Sequence, residues 1–271
     1  MSQGQNQREL VNQLRQKGII RTDFVQKIMG LVDRGNYCFL RPKFESESDA
    51  ICYADRALAI GLGQTISAPH MHAYALEEIY ETLAQTKEES HNTKILDVGC
   101  GSGYLTACFG RWRSLIKKES IETYQHKVFG IDVRQDLVDM TQTNMERADG
   151  DLLEDGIVDL SLRDGWKGLP EHAPFDAIHV GAAAESLPKL LVNQLAVGGV
   201  MIIPIGPQDS KSHQVLYKIK RVLQPKEGGK TELGEEYYSS EDSFNENDFE
   251  IQSLLGVRYV PLVKGEDLYK K

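Results

Sequence analysis

The chain has no pair of cysteines at the spacings that hold zinc or run thiol–disulfide exchange. Cys38, Cys52, Cys100 and Cys108 stand apart, and such thiols fit a reduced, cytoplasmic protein. No apolar run approaches the roughly 20 residues that a membrane span needs. The opening Met1–Arg8 is polar and lacks the apolar centre of a secretory signal. An excess of basic residues is also missing. Against 31 Lys and Arg stand 40 Asp and Glu, a net charge of −9, which speaks against a nucleic-acid partner. His70 and His72 lie two apart, so on a helix they diverge instead of sharing a metal-binding face. No metal site is expected.

What is there centres on Lys94-Ile-Leu-Asp-Val-Gly-Cys-Gly-Ser-Gly-Tyr-Leu-Thr-Ala-Cys108. The run reads as a buried strand, Lys94–Val98, that turns through Gly99, Gly101 and Gly103 directly into a helix. Glycines at this spacing permit φ > 0 and leave no Cβ between the turn and a ligand. A dinucleotide fingerprint is G-x-G-x-x-G and sets a pyrophosphate on a helix N-terminus. Here the third glycine comes one residue early and Asp97 precedes the loop, so a zwitterionic or cationic nucleotide-like ligand fits better. The Asp97 carboxylate is expected to face the same crevice. Cys100, inside the turn, is expected to be partly exposed and open to alkylation.

Along the rest of the chain, Leu10, Val11 and Leu14, then Phe24, Val25, Ile28 and Leu31, follow helical spacing within Gln7–Gln16 and Asp23–Val32. Tyr37–Asp55 reads as an irregular loop lengthened near 41–50. Gly61 and Gly63 make a flexible approach to a helix that starts at Pro69, with Ser67 placed to cap it. Lys127–Asp132, Ile157–Leu162, Phe175–Val180 and Val200–Ile205 read as strands. Between them lie helices at Asp136–Arg147 and Pro188–Leu195 and a surface insertion near 114–126. Strands alternating with helices predict an α/β protein with a doubly wound, mostly parallel sheet covered on both faces. The last third changes rhythm: Val215–Leu223 and Ile251–Val260 read as an antiparallel strand pair. The segment between them, about 226–250, carries nine acids and two lysines and reads as an exposed acidic insertion.

Asp97, Asp132 and Asp164 fall at the carboxyl ends of three successive strands, the edge where such sheets bind ligands. Asp132 can accept both hydroxyls of a ribose. Asp164, followed by Gly165, can accept from an exocyclic amine beside a ring for which glycine leaves room, although Asp-Gly is also a common turn. Ser67 has no acid–histidine pattern of a nucleophile elbow around it, and its residues alone favour the capping role.

Thr65-Ile-Ser-Ala-Pro-His-Met-His-Ala73, the glycine turn, Asp164-Gly165, Ala173–Ala184, Pro204-Ile-Gly206 and Gly256-Val-Arg-Tyr-Val-Pro-Leu262 closely resemble the protein-L-isoaspartate (D-aspartate) O-methyltransferases. These are class I S-adenosylmethionine-dependent enzymes that methylate the free α-carboxylate of isoaspartyl residues in damaged proteins. The resemblance implies a Rossmann-like methyltransferase sheet in one domain over 1–271. N-terminal helices and the active-site loop would fill 1–93, the cofactor-binding core 94–206, and the C-terminal strands 207–271. It implies Ser67 as the catalytic-position serine. S-adenosylmethionine would be held by Thr65, Ile66, His72, Asp97, Gly99, Gly101, Gly103, Asp132, Asp164 and Gly165, with no metal. Asp55, Ser67 and Val263 would face the substrate, the last in place of the family's usual threonine. Isoaspartyl-containing proteins and peptides are the implied partners, and a cytoplasmic monomer is expected.

Overall fold

The computed structural model describes residues 4–38, 47–86, 92–115, 125–208, 212–222 and 245–268. Most of the stretches read as insertions, in 39–46, 116–124 and 223–244, lie outside the described residues, as does most of the polar linker Lys87–Thr93.

Two helices open the chain. Asn6 caps α1 (Gln7–Gln16) by accepting from the Glu9 amide at 3.0 Å, and Glu9 reaches back to the Gln5 amide at 2.9 Å. This reciprocal pair satisfies two amide donors around the helix start. Thr22 caps α2 (Asp23–Leu31), and the fully buried Glu77 accepts from the Thr22 and Arg21 amides. Glu77 lies on the 18-residue α3 (Pro69–Thr86), so one carboxylate ties the start of α2 to the middle of α3.

Seven strands form the main sheet: β3 (Thr93–Val98), β4 (His126–Asp132), β5 (Val158–Leu162), β6 (Phe175–Val180), β7 (Leu195–Ile205), β8 (Gln214–Arg221) and β9 (Phe249–Val257). Their order is β5-β4-β3-β6-β7-β8-β9. The first five run parallel, whereas β8 is antiparallel to both β7 and β9. The expected antiparallel C-terminal pair is therefore present. Side chains alternate between two cores, as a pleated strand requires. Ile95, Ala177, Val200 and Ile202 join α1–α3 and α4 (Tyr104–Arg111) on one face. Leu96, Ile178, Met201 and Ile203 join Leu187 and Leu191 on the other. The chain leaves β3 outward to β4 and β5, then returns to β6 on the opposite side of β3. That reversal opens a crevice at the strand ends.

The structure corrects several element boundaries. The approach to α3 is an antiparallel hairpin, β1 (Leu58–Gly61) and β2 (Gln64–Ile66). Leu62 at its tip has φ 56°, a left-handed conformation, and Arg134 donates to its carbonyl at 2.8 Å. Within Tyr37–Asp55, the described part holds a 3-10 turn, Glu47–Tyr53. The helix expected over Pro188–Leu195 is one turn, α7 (Lys189–Val192), because Leu195 already pairs with Phe175. Gly198 and Gly199 lie inside β7 beside a register shift, not in a turn before it. Two short helices after β4, α5 (Gln135–Ala148) and α6 (Asp151–Glu154), complete the layers. Phe249 and Glu250, read as the end of the acidic insertion, belong to β9.

The N-terminal layer is held to the sheet domain by a polar clasp. Tyr37 donates its buried hydroxyl to Asp149, and Arg111 grips the same carboxylate from α4. A hydrogen bond to a buried charged group contributes about 1.5–3 kcal/mol. Tyr37→Phe is expected to lower stability by about that amount in a urea melt, with the slope unchanged because the exposed surface is the same.

Candidate active site

The glycine turn is built at the crevice. Gly99, Gly101 and Gly103 have φ of 76°, 57° and 89°, all left-handed, as their spacing predicts. The loop hangs from the end of β4: the Gly99 and Cys100 amides donate to the Ile131 carbonyl at 2.8 and 3.1 Å. Across the crevice, the Gly181 amide after β6 donates to the Val98 carbonyl at 2.8 Å. A Cβ on Gly181 would stand 2.9 Å from the Gly99 carbonyl oxygen, and one on Gly165 would stand 2.5 Å from Val98 Cγ1. No larger residue enters these two positions without moving the walls.

These elements enclose a first cavity of about 760 Å³, solvent mouth included. Its floor is Val98, Gly99, Gly101, Gly181 and Ala182; Asp132 and Leu137 form one side; Gly165 and Val260–Val263 form another; Gln64 and Thr65 of the hairpin close it. Asp132 sits within it. Its carboxylate accepts from the Gly101 amide at 3.3 Å and the Arg134 amide at 3.2 Å, and burial still pushes its pKa above the ordinary aspartate value. The group is short of compensating partners, as expected of a carboxylate aimed at a ligand's hydroxyls.

A second cavity, of about 740 Å³ with its mouth, adjoins the first. Ser67, Ala68, His70, Met71 and Ala57 form one wall, and Leu255–Val260 form the other. Thr65, Gly181 and Val260 line both cavities. Ser67 lines only the second, as does Tyr259, whose pKa burial raises to about 12.

Ser67 is not the cap of α3. Asp55 takes that role from outside the helix, with Oδ1 accepting from the His70 amide at 2.9 Å and from the His70 ring at 2.7 Å. Burial raises the Asp55 pKa, but the bonds from His70 outweigh it and the net shift is downward. The Ser67 hydroxyl is thereby left to the cavity.

Several expected site residues are elsewhere. Asp55 does not line either cavity, because its carboxylate is spent on the helix end. Asp97, 1% exposed, lies beneath the loop instead of facing the crevice. Thr106 donates to it at 2.5 Å, and His179, its cross-strand neighbour on β6, at 2.8 Å. Asp164 turns away from the first cavity and binds the Trp166 and Gly265 amides at 2.9 and 3.0 Å; only Gly165 of that pair lines it. Ile66 is core. His72 is buried against Tyr104 and Arg34, and burial, then the Arg34 charge, lowers its pKa well below the usual value. Gly103 shapes the helix entry without lining the cavity. Cys100 is buried, not open to reagents: Thr141 donates to its sulfur at 3.5 Å, and burial drives the thiol pKa up. Arg134, Gly181, Tyr259 and Val260 were not foreseen as site residues. Gly181, Tyr259 and Val260 lie in stretches that carry the family resemblance, Ala173–Ala184 and Gly256–Leu262, whereas Arg134 lies in none of them.

A doubly wound sheet with a glycine turn at its switch point and two joined cavities above it defines a Rossmann-like methyltransferase. Residues 5–239 match the family model of protein-L-isoaspartate(D-aspartate) O-methyltransferase, and the chain belongs to that family. A Triticum aestivum protein-L-isoaspartate O-methyltransferase is 40% identical over 210 residues, covering 77% of this chain and 81% of that protein. The Caenorhabditis elegans enzyme of the same name is 35% identical over 221 residues, covering 82% and 86%. A Plasmodium falciparum crystal structure assigned to this enzyme, in complex with S-adenosyl-L-homocysteine, superposes with a TM-score of 0.70. It is 31% identical and covers 96% of this chain and 99% of that one.

The Asp55 cap has a definite pH signature. Its pKa is depressed in the fold, so its contribution is complete above the unfolded value of about 4 and is lost as pH falls through the folded value. Asp55→Asn, which keeps a capping oxygen and loses the charge, is expected to cost about 0.3–1 kcal/mol at neutral pH. The gap to wild type should close below about pH 4 when denaturant midpoints are measured across pH.

Proposed function

We propose that this chain transfers a methyl group from S-adenosylmethionine to the free α-carboxylate of L-isoaspartyl residues, and to D-aspartyl residues, in damaged proteins and peptides. The observation that carries the reading is the pair of cavities meeting at Thr65, Gly181 and Val260, with Ser67 in the second alone. One cavity suits a nucleoside and the other an extended acceptor, and the wall between them holds no charged side chain.

The first cavity fits the methyl donor. The walls at Gly165 and Gly181 have no space for a Cβ, as a close backbone approach to a ligand requires. In this reading Asp132 accepts the ribose hydroxyls, Gly99 and Gly101 allow backbone approach, and Val260–Val263 cover the ligand. S-adenosylmethionine supplies a sulfonium methyl group. An acceptor carboxylate is already ionised near pH 7, so the site needs no general base. The neutral Ser67 hydroxyl orients the carboxylate by donating to one oxygen while the other faces the wall. Thr65, Gly181 and Val260 exclude water there, which favours a step in which opposite charges cancel. Asp97, Asp55 and His72 act from behind: Asp97 fixes the glycine loop, and Asp55 and His72 fix the start of α3.

Among the described residues no helix is long and apolar enough to cross a membrane. We place the protein in the cytoplasm as a monomer, acting on isoaspartyl-containing proteins without nucleic acid or membrane. The free cysteines support that compartment.

The deciding experiment offers labelled S-adenosylmethionine with a matched pair of isoaspartyl and aspartyl peptides and follows base-labile methanol. Label in the isoaspartyl member alone is expected; equal label in both would overturn the reading. Ser67→Ala should lower kcat by about 10²-fold, the scale of removing one preorganised donor, with calorimetric affinity for S-adenosylhomocysteine unchanged. Asp132→Asn should do the reverse, weakening that affinity roughly 10- to 100-fold through a lost charged hydrogen bond.

A further inference from the structure

The second cavity has an uneven charge. Of its lining residues only His70 and Arg258 are basic, and none is acidic. His70 has its Nδ1 bound to Asp55. Arg258 is exposed at the cavity, and among the described residues its guanidinium has no carboxylate or carbonyl partner. Arg15, Arg21, Arg111, Arg134 and Arg163 each hold an acid, whereas Arg258 lines a cavity that has no acid to hold.

The backbone that carries Arg258 is fixed on both sides. Gly256 pairs with Val215 in the sheet and Val257 is buried. The Tyr259 amide donates to Gln214 Oε1 at 2.9 Å, and the Val260 carbonyl accepts from the Ala183 amide at 2.8 Å. Arg258 follows directly on the last residue of β9, so its side chain leaves a held backbone, and it lines the cavity. A planar guanidinium on a rigid strand end is suited to grip a carboxylate through two parallel bonds.

We propose that Arg258 reads the charge of the acceptor: it holds the unmethylated carboxylate as an anion and loses its hold once the ester forms. The proposal rests on the functional reading above and names the residue that sets acceptor affinity. In the transfer, a carboxylate oxygen gains the methyl carbon, the carbon–sulfur bond breaks with its electron pair left on sulfur, and both charges vanish. Arg258 therefore binds the reactant more strongly than anything that follows. An interaction that fades toward the transition state tightens the bound reactant more than the transition state, so its loss raises KM and leaves kcat level or higher. Ser67, a neutral donor, keeps its bond to an ester oxygen, so the two residues divide orientation from charge recognition. The neutral product is left with no ion pair to retain it.

The test uses the full chain with Arg258→Gln and Arg258→Lys. Steady-state kinetics with an isoaspartyl peptide should show KM raised roughly 10- to 100-fold in Arg258→Gln, the range of a charged hydrogen bond, with kcat equal to or above that of wild type. Arg258→Lys should recover part of the loss. In parallel, binding of that peptide and of its α-carboxamide is titrated into the enzyme saturated with S-adenosylhomocysteine. Wild type should prefer the carboxylate by at least about tenfold, and Arg258→Gln should bind both alike. Affinity for S-adenosylhomocysteine alone should be the same in all three proteins, which separates charge recognition from loss of fold. A wild-type preference that survives in Arg258→Gln, or a fall in kcat at constant KM, overturns the proposal. The binding arm needs no turnover. Carboxylate-selective binding without methyl transfer would sink the functional reading and leave Arg258 as an anion reader; binding of neither peptide would sink both.

Discussion

Two backbone segments approach so closely at the centre of the sheet that Gly181 has no room for a side chain, and the rest of the site follows from that contact. Gly181 bonds to the Val98 carbonyl, and its α-carbon faces the Gly99 carbonyl across a gap that no Cβ fits. A strand reversal alone would leave an open crevice. Drawn together in this way, the loops after β3 and β6 become one floor, from which the hairpin and the segment after β9 rise as walls. The Asp97–His179 pair sits directly beneath and joins the same two strands through their side chains. A buried carboxylate at that point is costly unless satisfied, and Thr106 and His179 supply the partners.

A second constraint frees the chemistry. A helix start needs acceptors for its first amides, and a serine just before Pro69 would ordinarily spend its hydroxyl there. Here Asp55, fifteen residues away, takes the His70 amide instead. Stabilisation of the helix and presentation of the hydroxyl are thus assigned to different residues, and the loop that carries Asp55 is fixed by the same bond. Arg134 performs a comparable double duty: one guanidinium nitrogen holds the hairpin tip while others bind Asp136.

The centre of the sheet was legible in the sequence because β3, β4 and β6 are buried on both faces and read as continuous apolar runs. The left-handed glycines were legible for the same local reason, and Asp132 because a strand end places it without help from distant residues. Asp97, Asp164 and Asp55 were read as ligand groups, and the structure shows each carboxylate bonded within the chain. Residue type and position cannot distinguish a carboxylate that meets a ligand from one that meets an amide of a segment far along the chain, such as Gly265 for Asp164. The hairpin before α3 escaped because Gly61 and Gly63 signal mobility as readily as a tight turn. The helix over Pro188–Leu195 failed because pairing with Phe175 claims Leu195 for the sheet, a tertiary demand that periodicity does not carry.

The β8–β9 hairpin runs the length of the sheet, with Gln214 opposite Val257 at one end and Arg221 opposite Phe249 at the other. Arg258 and both cavities lie beyond the first end. The second is closed by the Val222 amide on the Asp248 carbonyl. The point where the chain departs for its acidic stretch is thus separated from the chemistry by eight strand residues, roughly 26 Å at 3.3 Å each. A label at Val222 or Asn245, the described residues that flank that stretch, stands at the end of the hairpin away from the cavities. Such a position suits a fluorophore or an affinity handle on a working enzyme.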